Sequence, residues 1–333
     1  MKSIVKQSKK NSNEINLWFG LLLFFIIILI AIKPAKYSLV ALKGIEVWAK
    51  ILLPSLLPFF ILTKLFASTG VIESVTKFFS PITKKMFNCP SESSYIFLMS
   101  ILTGYPVGSK LVSDMFNSGN LTKDQAIRTT AFCSNSGPMF ILGSVAIGMF
   151  ADRTLGVIIL ISHILGAILN GLIYRNYGKK TDENLLPQNS VLCPSTISIN
   201  LAESVMSSIN SILLIGGVIC FTFVILELVT TSFLFTNFVN MLSKIELDKN
   251  LVSAIFCGLF EITKGCLMLS NIPLSTSFVR CILTFVISFG GISTFFQARA
   301  FLKDIVPAKT FLLQKITHAI CSCLVCAIIS IFI

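Results

Sequence analysis

Charge is what this chain has least of. Only 13% of its 333 residues are Asp, Glu, Lys or Arg, against about 25% in a soluble domain. Acidic residues are scarcest, 15 in all. With 54% hydrophobic residues and a mean hydropathy of +0.85, no soluble domain of useful size fits. Spans of about 20 apolar residues leave room for about seven or eight membrane segments and little else. Further absences exclude chemistry. No GxxxxGK string is present, so phosphate-cradle NTPase activity is not supported. No Ser/His/Asp set, paired-carboxylate site or metal quartet emerges. The expectation is a non-enzyme with no cofactor, no metal and no catalytic residues.

Cysteine is plentiful but forms no secreted framework. Cys220, Cys257, Cys281, Cys321, Cys323 and Cys326 lie within apolar runs, where a thiol behaves as a small buried hydrophobe. His318 with Cys321, Cys323 and Cys326 resembles a ligand cluster. A helix, however, cannot turn all three sulfurs to one point.

Cations outnumber acids 27 to 15, a net charge of +12. They are scattered among short loops rather than massed, so the positive-inside rule accounts for most of them. The remainder suits anionic lipid or an anionic solute, and nucleic acid is not expected as a partner.

Two lysines stand apart. Lys110 and Lys264 each follow a glycine by six residues, Gly104 and Gly258. Laying 100–141 over 254–295 pairs these lysines and glycines and also Ile101/Ile255, Asn117/Asn271, Thr122/Thr276, Thr130/Thr284, Ser134/Ser288 and Gly137/Gly291. Duplicated, interrupted membrane segments are the sequence trace of a secondary transporter's binding site. The expected fold is an all-α polytopic membrane protein with two inverted repeats, broken or re-entrant helices and a transporter-like plan.

The layout follows from apolar runs and their interruptions. Residues 1–44 hold a basic tail, a retained helix at 17–32 and a polar outer or amphipathic stretch at 33–47 that leads into the next unit. Residues 45–175 form a first repeat: a span at 48–69 kinked by Pro54 and Pro58, an interfacial segment at 71–88, a hairpin turning at Gly104, a span at 125–150 broken at Ser134–Pro138, and a span at 155–174. A polar cytoplasmic linker covers 176–200. The second repeat, 201–333, has a span at 207–235, a loop at 236–250, a broken segment at Gly258–Asn271, a span at 276–302 broken at Gly290–Gly291, and a last helix at 310–332.

Candidate solute-binding residues lie at these breaks. In the first repeat they are Gly104, Gly108, Ser109 and Lys110, then Ser134, Asn135, Ser136 and Gly137. In the second they are Glu261, Thr263 and Lys264, then Gly290, Gly291 and Ser293. Freed helix N-termini attract anions, and an ammonium adds a full charge. Against this, Lys110 could instead snorkel to an interface or pair with Asp114. Glu261 and Lys264, at i, i+3, could pair and lower their burial cost. His163 suits an interhelical hydrogen bond better than a proton relay.

The strings Leu53-Pro-Ser-Leu-Leu-Pro-Phe59-Phe60, Thr103-Gly-Tyr-Pro-Val-Gly-Ser-Lys110 and Phe132-Cys-Ser-Asn-Ser-Gly-Pro-Met-Phe140 resemble the YlbJ-type sporulation integral membrane proteins. These carry Gate (nucleoside-recognition) domains similar to those of concentrative nucleoside transporters. The resemblance implies a membrane transporter acting in the mother-cell-derived membrane around the forespore, moving dipicolinic acid, a small aromatic dicarboxylate, towards the spore. The expected partners are a small anionic solute and the lipid bilayer, with a homo-oligomer or other sporulation membrane proteins left open. The alternatives are a non-transporting scaffold needed for spore maturation and a carrier of nucleosides.

Overall fold

The computed structural model describes residues 2–69, 71–178, 201–244, 248–273 and 276–332, and every regular element among them is helical. The linker expected at 176–200 falls mostly outside the described residues. Helix α1 (Lys2–Ile32) is followed directly by α2 (Pro34–Val47), a π-helical turn at Trp48–Leu52 and α3 (Leu53–Ala67). The stretch 33–47 is therefore not a polar lead-in: it is the first half of one long apolar run, Pro34–Phe66. Pro34 sits in the first turn of α2, where its missing N–H costs nothing, and no breaker follows it until Pro54. The helix departs from α geometry just ahead of Pro54, which opens α3.

Helix α4 (Val71–Phe87) leads to a hairpin of α5 (Glu92–Thr103) and α6 (Val107–Asn117), turning at Gly104 through a cis Tyr105–Pro106 bond. Next come α7 (Lys123–Thr130), an irregular stretch, a π-helical segment Met139–Ile147 and α8 (Arg153–Tyr174). The second half begins with α9 (Leu201–Thr230) and α10 (Phe233–Ser243). The expected loop at 236–250 is thus largely helical. Ser232 caps α10 by accepting the Phe235 N–H at 3.3 Å, and the buried Phe235 and Val239 lie one turn apart on its inner face. Its lack of charge conceals that spacing.

A hairpin of α11 (Lys249–Phe260) and α12 (Ile262–Leu269) follows, then α13 (Thr276–Phe289), α14 (Gly291–Leu302) and α15 (Ala308–Ile331). The hairpin breaks at Glu261, not at Gly258. Gly258 lies inside α11, where a Cβ on Gly265 would come within 2.2 Å of its Cα. That glycine pair lets the two arms touch rather than ending a helix. From α5 to α8 and from α11 to α15, the same order recurs: half-helix, break, half-helix, a second broken pair, and a long helix. The long helices begin at Arg153 and Ala308, close to the offset that aligns Gly137 with Gly291.

Among the described residues, five helical runs are long and apolar enough to cross a bilayer: Pro34–Phe66, Arg153–Tyr174, Leu201–Thr230, Ser277–Leu302 and Ala308–Ile331. The half-helices around 123–147 and the apolar run Leu17–Ile32 are each shorter than these five. Two buried apolar clusters flank the breaks. One joins α3, α9, α13 and the Met139–Ile147 segment; the other joins α4 to α7 with α14 and α15. Large apolar side chains remain exposed on α9 (Leu213, Leu214, Phe221) and α15 (Leu324, Ile328), as lipid-facing surfaces require.

Candidate functional site

The two breaks of the first half press against each other. Gly104 ends α5 with φ +78, and a Cβ there would lie 2.6 Å from the Gly137 nitrogen. A Cβ on Gly108 would lie 1.9 Å from the Cys133 carbonyl oxygen, so only glycine lets α6 pass the irregular stretch. The second half repeats this device. Gly290 and Gly291 have φ of +83 and +79, and a Cβ on Gly291 would stand 3.0 Å from the Phe260 carbonyl oxygen. In each half, a glycine of the unwound span receives the tip of a hairpin.

Tyr105 ties the halves together. Its hydroxyl donates to the Ile287 carbonyl at 2.5 Å, and its ring lies against Gly290. Between these tips and the scaffold is a cavity of about 680 Å³, counted to its open mouth. One wall is apolar: Leu56, Phe59 and Phe60 of α3, Phe140 of the π-helical segment, and Val218 and Ile219 of α9. The opposite wall is made from the starts of four half-helices, with Gly104 and Tyr105 before α6, Ser136 and Gly137 before the π-helical segment, Glu261 to Thr263 at α12, and Ser293 and Thr294 at α14; Gln297 lies one turn further along α14. Half-helix N-termini present unpaired N–H groups and a positive dipole end.

Glu261 is the acidic group of this wall. It is 4% exposed, and its two oxygens accept from the Thr263 N–H at 3.1 Å and the Ser293 hydroxyl at 2.6 Å. It therefore clamps the α11–α12 tip to α14. It forms no ion pair with Lys264. At φ −140 it is the N-cap of α12 rather than a residue within it, so helical i, i+3 geometry does not apply and its carboxyl curls back over its own helix start. Lys264 instead donates to the Phe223 carbonyl of α9 at 3.3 Å and lies over that phenylalanine's ring.

Of the candidate residues, Gly104, Ser136, Gly137, Glu261, Thr263 and Ser293 line this cavity together. Gly290 and Gly291 form the adjoining break without lining it. Gly108 and Ser109 are buried in the packing of α6. Lys110 is exposed, and neither it nor Lys264 lines the cavity. Ser134 and Asn135 point away from it. The Asn135 amide donates to the Ser100 hydroxyl at 2.9 Å and the Phe132 carbonyl at 2.8 Å.

Behind the cavity runs a buried polar layer that the sequence reading largely missed. His163 is an interhelical linker, as expected: its Nε2 accepts the Ser136 N–H at 2.9 Å, and its Nδ1 pairs with the Ser288 hydroxyl at 2.8 Å. His318 reaches the His163 carbonyl at 3.1 Å. Gln314 donates to the Ile127 carbonyl at 2.8 Å and accepts from the Thr130 hydroxyl at 2.9 Å. Lys315 is 2% exposed; its ammonium donates to the Ser134 carbonyl at 3.0 Å and lies 4.7 Å above the Tyr105 ring. A cation inside a membrane-spanning helix is costly, up to ~2.5–3.5 kcal/mol at the helix centre on insertion scales. The available signal was periodic: Phe311, Lys315, His318, Ser322 and Cys326 share one face of α15.

Comparison with known proteins places this arrangement. Residues 49–153 match the Gate family, described as nucleoside recognition. The "Sporulation integral membrane protein YlbJ" of Bacillus subtilis (strain 168) is 27% identical over 335 residues, spanning 93% of this chain and 82% of that protein. Among solved structures, a double variant of CNTnw in an outward-facing state superposes with a TM-score of 0.60 at 11% identity, covering 86% of this chain and 76% of that one. The fold is thus like that of CNTnw, with inverted repeats and re-entrant hairpins. The chain is an all-helical integral membrane protein, homologous to the sporulation protein YlbJ and bearing a Gate nucleoside-recognition region.

Proposed function

We propose that this chain is a sporulation-associated carrier that moves a small organic anion such as dipicolinic acid from the mother cell towards the forespore, acting in the mother-cell-derived membrane. The observation that carries this reading is the convergence of four half-helix starts on one cavity. Such ends attract anionic groups of substrates in secondary transporters. The binding charge is backbone charge, not the paired ammonium groups of Lys110 and Lys264, which lie outside the cavity. Glu261 already takes the Thr263 N–H at the start of α12, and His163 takes the Ser136 N–H ahead of the π-helical segment, which leaves the starts of α6 and α14 for the solute. The phenylalanines of the apolar wall suit a planar ring. Similarity to a sporulation protein supports the cellular setting.

A second reading has its own observation. Glu261, Ser293 and Gln297 form a cluster able to accept from and donate to sugar hydroxyls, which suits a neutral nucleoside. Flux of labelled dipicolinate and of labelled uridine in proteoliposomes separates the two. An anion carrier moves dipicolinate, and Glu261→Gln maintains or raises that flux because a negative neighbour is removed. A nucleoside carrier moves uridine and loses at least tenfold on the same change. Movement of neither solute removes the carrier reading in favour of a scaffold.

A further inference from the structure

We propose that Lys315 is a tethered cation that fills the place a bound monovalent coupling ion would take, so that this protein assembles its unwound core without sodium. Three observations point there. First, the span unwinds at 131–138, and side chains meet carbonyls of the last turn of α7 and of the break: Ile127 of α7 by Gln314, then Ala131 by Asn170 at 2.6 Å, Phe132 by Asn135, and Ser134 by Lys315. The first three partners are neutral amides. Only the last, deepest in the break, is an ammonium.

Second, that ammonium has no carboxylate partner. Among the described residues, the ion pairs are Lys36–Glu227 and Lys50–Glu46, both remote from it in sequence and on other helices. Its neighbours are the Ser134 carbonyl at 3.0 Å, the Ser134 hydroxyl at 3.4 Å and the face of Tyr105. Carbonyl, hydroxyl and ring face form a coordination shell for a cation rather than for a salt bridge. Unwound carbonyls and half-helix C-terminal ends hold coupling cations in secondary transporters, and the negative end of α7 adds to that pull.

Third, the position couples the parts that would have to move. Lys315 belongs to α15, Ser134 to the unwound span and Tyr105 to the α5–α6 tip, while Tyr105 also reaches Ile287 of α13. A diffusible ion here would come and go with the state of the carrier; one fixed to α15 cannot leave.

This inference rests on the carrier reading only for its bearing on transport, and its test needs no solute. The full chain is purified in detergent and its melting temperature measured in sodium, lithium, methylammonium or N-methylglucamine chloride at equal ionic strength. The wild type is expected to melt at one temperature in all four. Lys315→Ala is expected to melt about 5 °C lower in N-methylglucamine and to recover in sodium or methylammonium, which can enter the vacated shell. Lys315→Met, which fills the space without charge, is expected to melt lower with no recovery in any salt. Selective stabilisation of the wild type by sodium overturns the proposal. So does a folded Lys315→Ala indifferent to the cation, or a Lys315→Met as stable as the wild type. If Lys315→Ala does not fold, the wild-type comparison decides alone, indifference supporting the proposal and a sodium effect ending it. Failure in solute flux with these results intact would count against the carrier reading instead.

Discussion

The two halves use one backbone device and complete it with opposite charges. In the first, the unwound stretch is met at its Ser134 carbonyl by an ammonium reaching in from α15. In the second, the amide end of α12 is met by the carboxylate of Glu261, a residue of the break itself. Each charge matches the end of the helix dipole it faces. The difference teaches that the repeat specifies where helices break, while chemistry is added to each break separately. Ser134 and Ser288, aligned at the 154-residue offset, show it in miniature: one holds Lys315, the other His163.

The largest effects should come from the glycines that let one backbone segment touch another. A Cβ on Gly108 or Gly265 would meet backbone at 1.9 and 2.2 Å, so neither flexible side chains nor rotamers can absorb it. Gly108→Ala and Gly265→Ala should each cost at least ~3 kcal/mol, at the severe end for single substitutions, and abolish flux. Gly119 is the reverse case: its φ is +78, which neither Gly108 nor Gly265 shares, but a Cβ there would have nothing within 4 Å. Gly119→Ala should cost only about 1 kcal/mol of backbone strain. Thermal melts of the three side by side separate close approach from conformation; equal losses would mean these backbone segments are not in contact.

Next in size is Glu261. Truncation to Ala removes both acceptors and leaves the Ser293 hydroxyl and the Thr263 N–H without them; an unsatisfied buried group costs ~1–3 kcal/mol. Glu261→Gln retains one acceptor and should recover at least half of that loss. A melt in which Gln and Ala behave alike would show that the clamp on α14 contributes little to holding the tip.

Much of this architecture was legible in the chain. Gly104, Ser134–Pro138 and Gly290–Gly291 interrupt apolar runs, and the helices do break there. Gly258 misled because a glycine serves close packing as readily as helix termination, and only its partner Gly265 across the hairpin distinguishes the two uses. Glu261, which does end α11, is an ordinary helix former by propensity, so its break depends on capping that spacing does not reveal. Lys315 was hidden differently. Seven residues into α15, it looks like a lysine near a helix end, and its burial depends on α8 and α13 packing around it. Lys110 and Lys264 stood out by repetition, but repetition marks shared ancestry of the halves as well as shared use.

A membrane potential sharpens the comparison at the level of flux. An anion leaving a negative compartment is driven by ~2.3 kcal/mol per charge per 100 mV, and a fixed cation at Ser134 makes no demand for sodium. Dipicolinate efflux from vesicles should therefore follow an imposed potential and persist within twofold when sodium or proton gradients are dissipated. Loss of flux on removing sodium alone would place a diffusible ion in the cycle.

The smallest effect is expected at Lys110. It is exposed and lies outside the cavity, and a surface substitution away from a packed feature stays within about 0.5 kcal/mol. Lys264 is half-buried and bonded to the Phe223 carbonyl, so its neutralisation should cost more stability than that of Lys110 while leaving solute affinity unchanged. Lys110→Gln and Lys264→Gln in the same flux assay thus test whether backbone ends or ammonium groups hold the solute. If both variants keep wild-type flux, the half-helix starts suffice. A fivefold or greater rise in the half-saturating concentration of dipicolinate in both would mean that the lysines reach the solute in a conformation where the cavity is open to them, and the anion site would then belong to the repeat itself rather than to the chemistry added to each break.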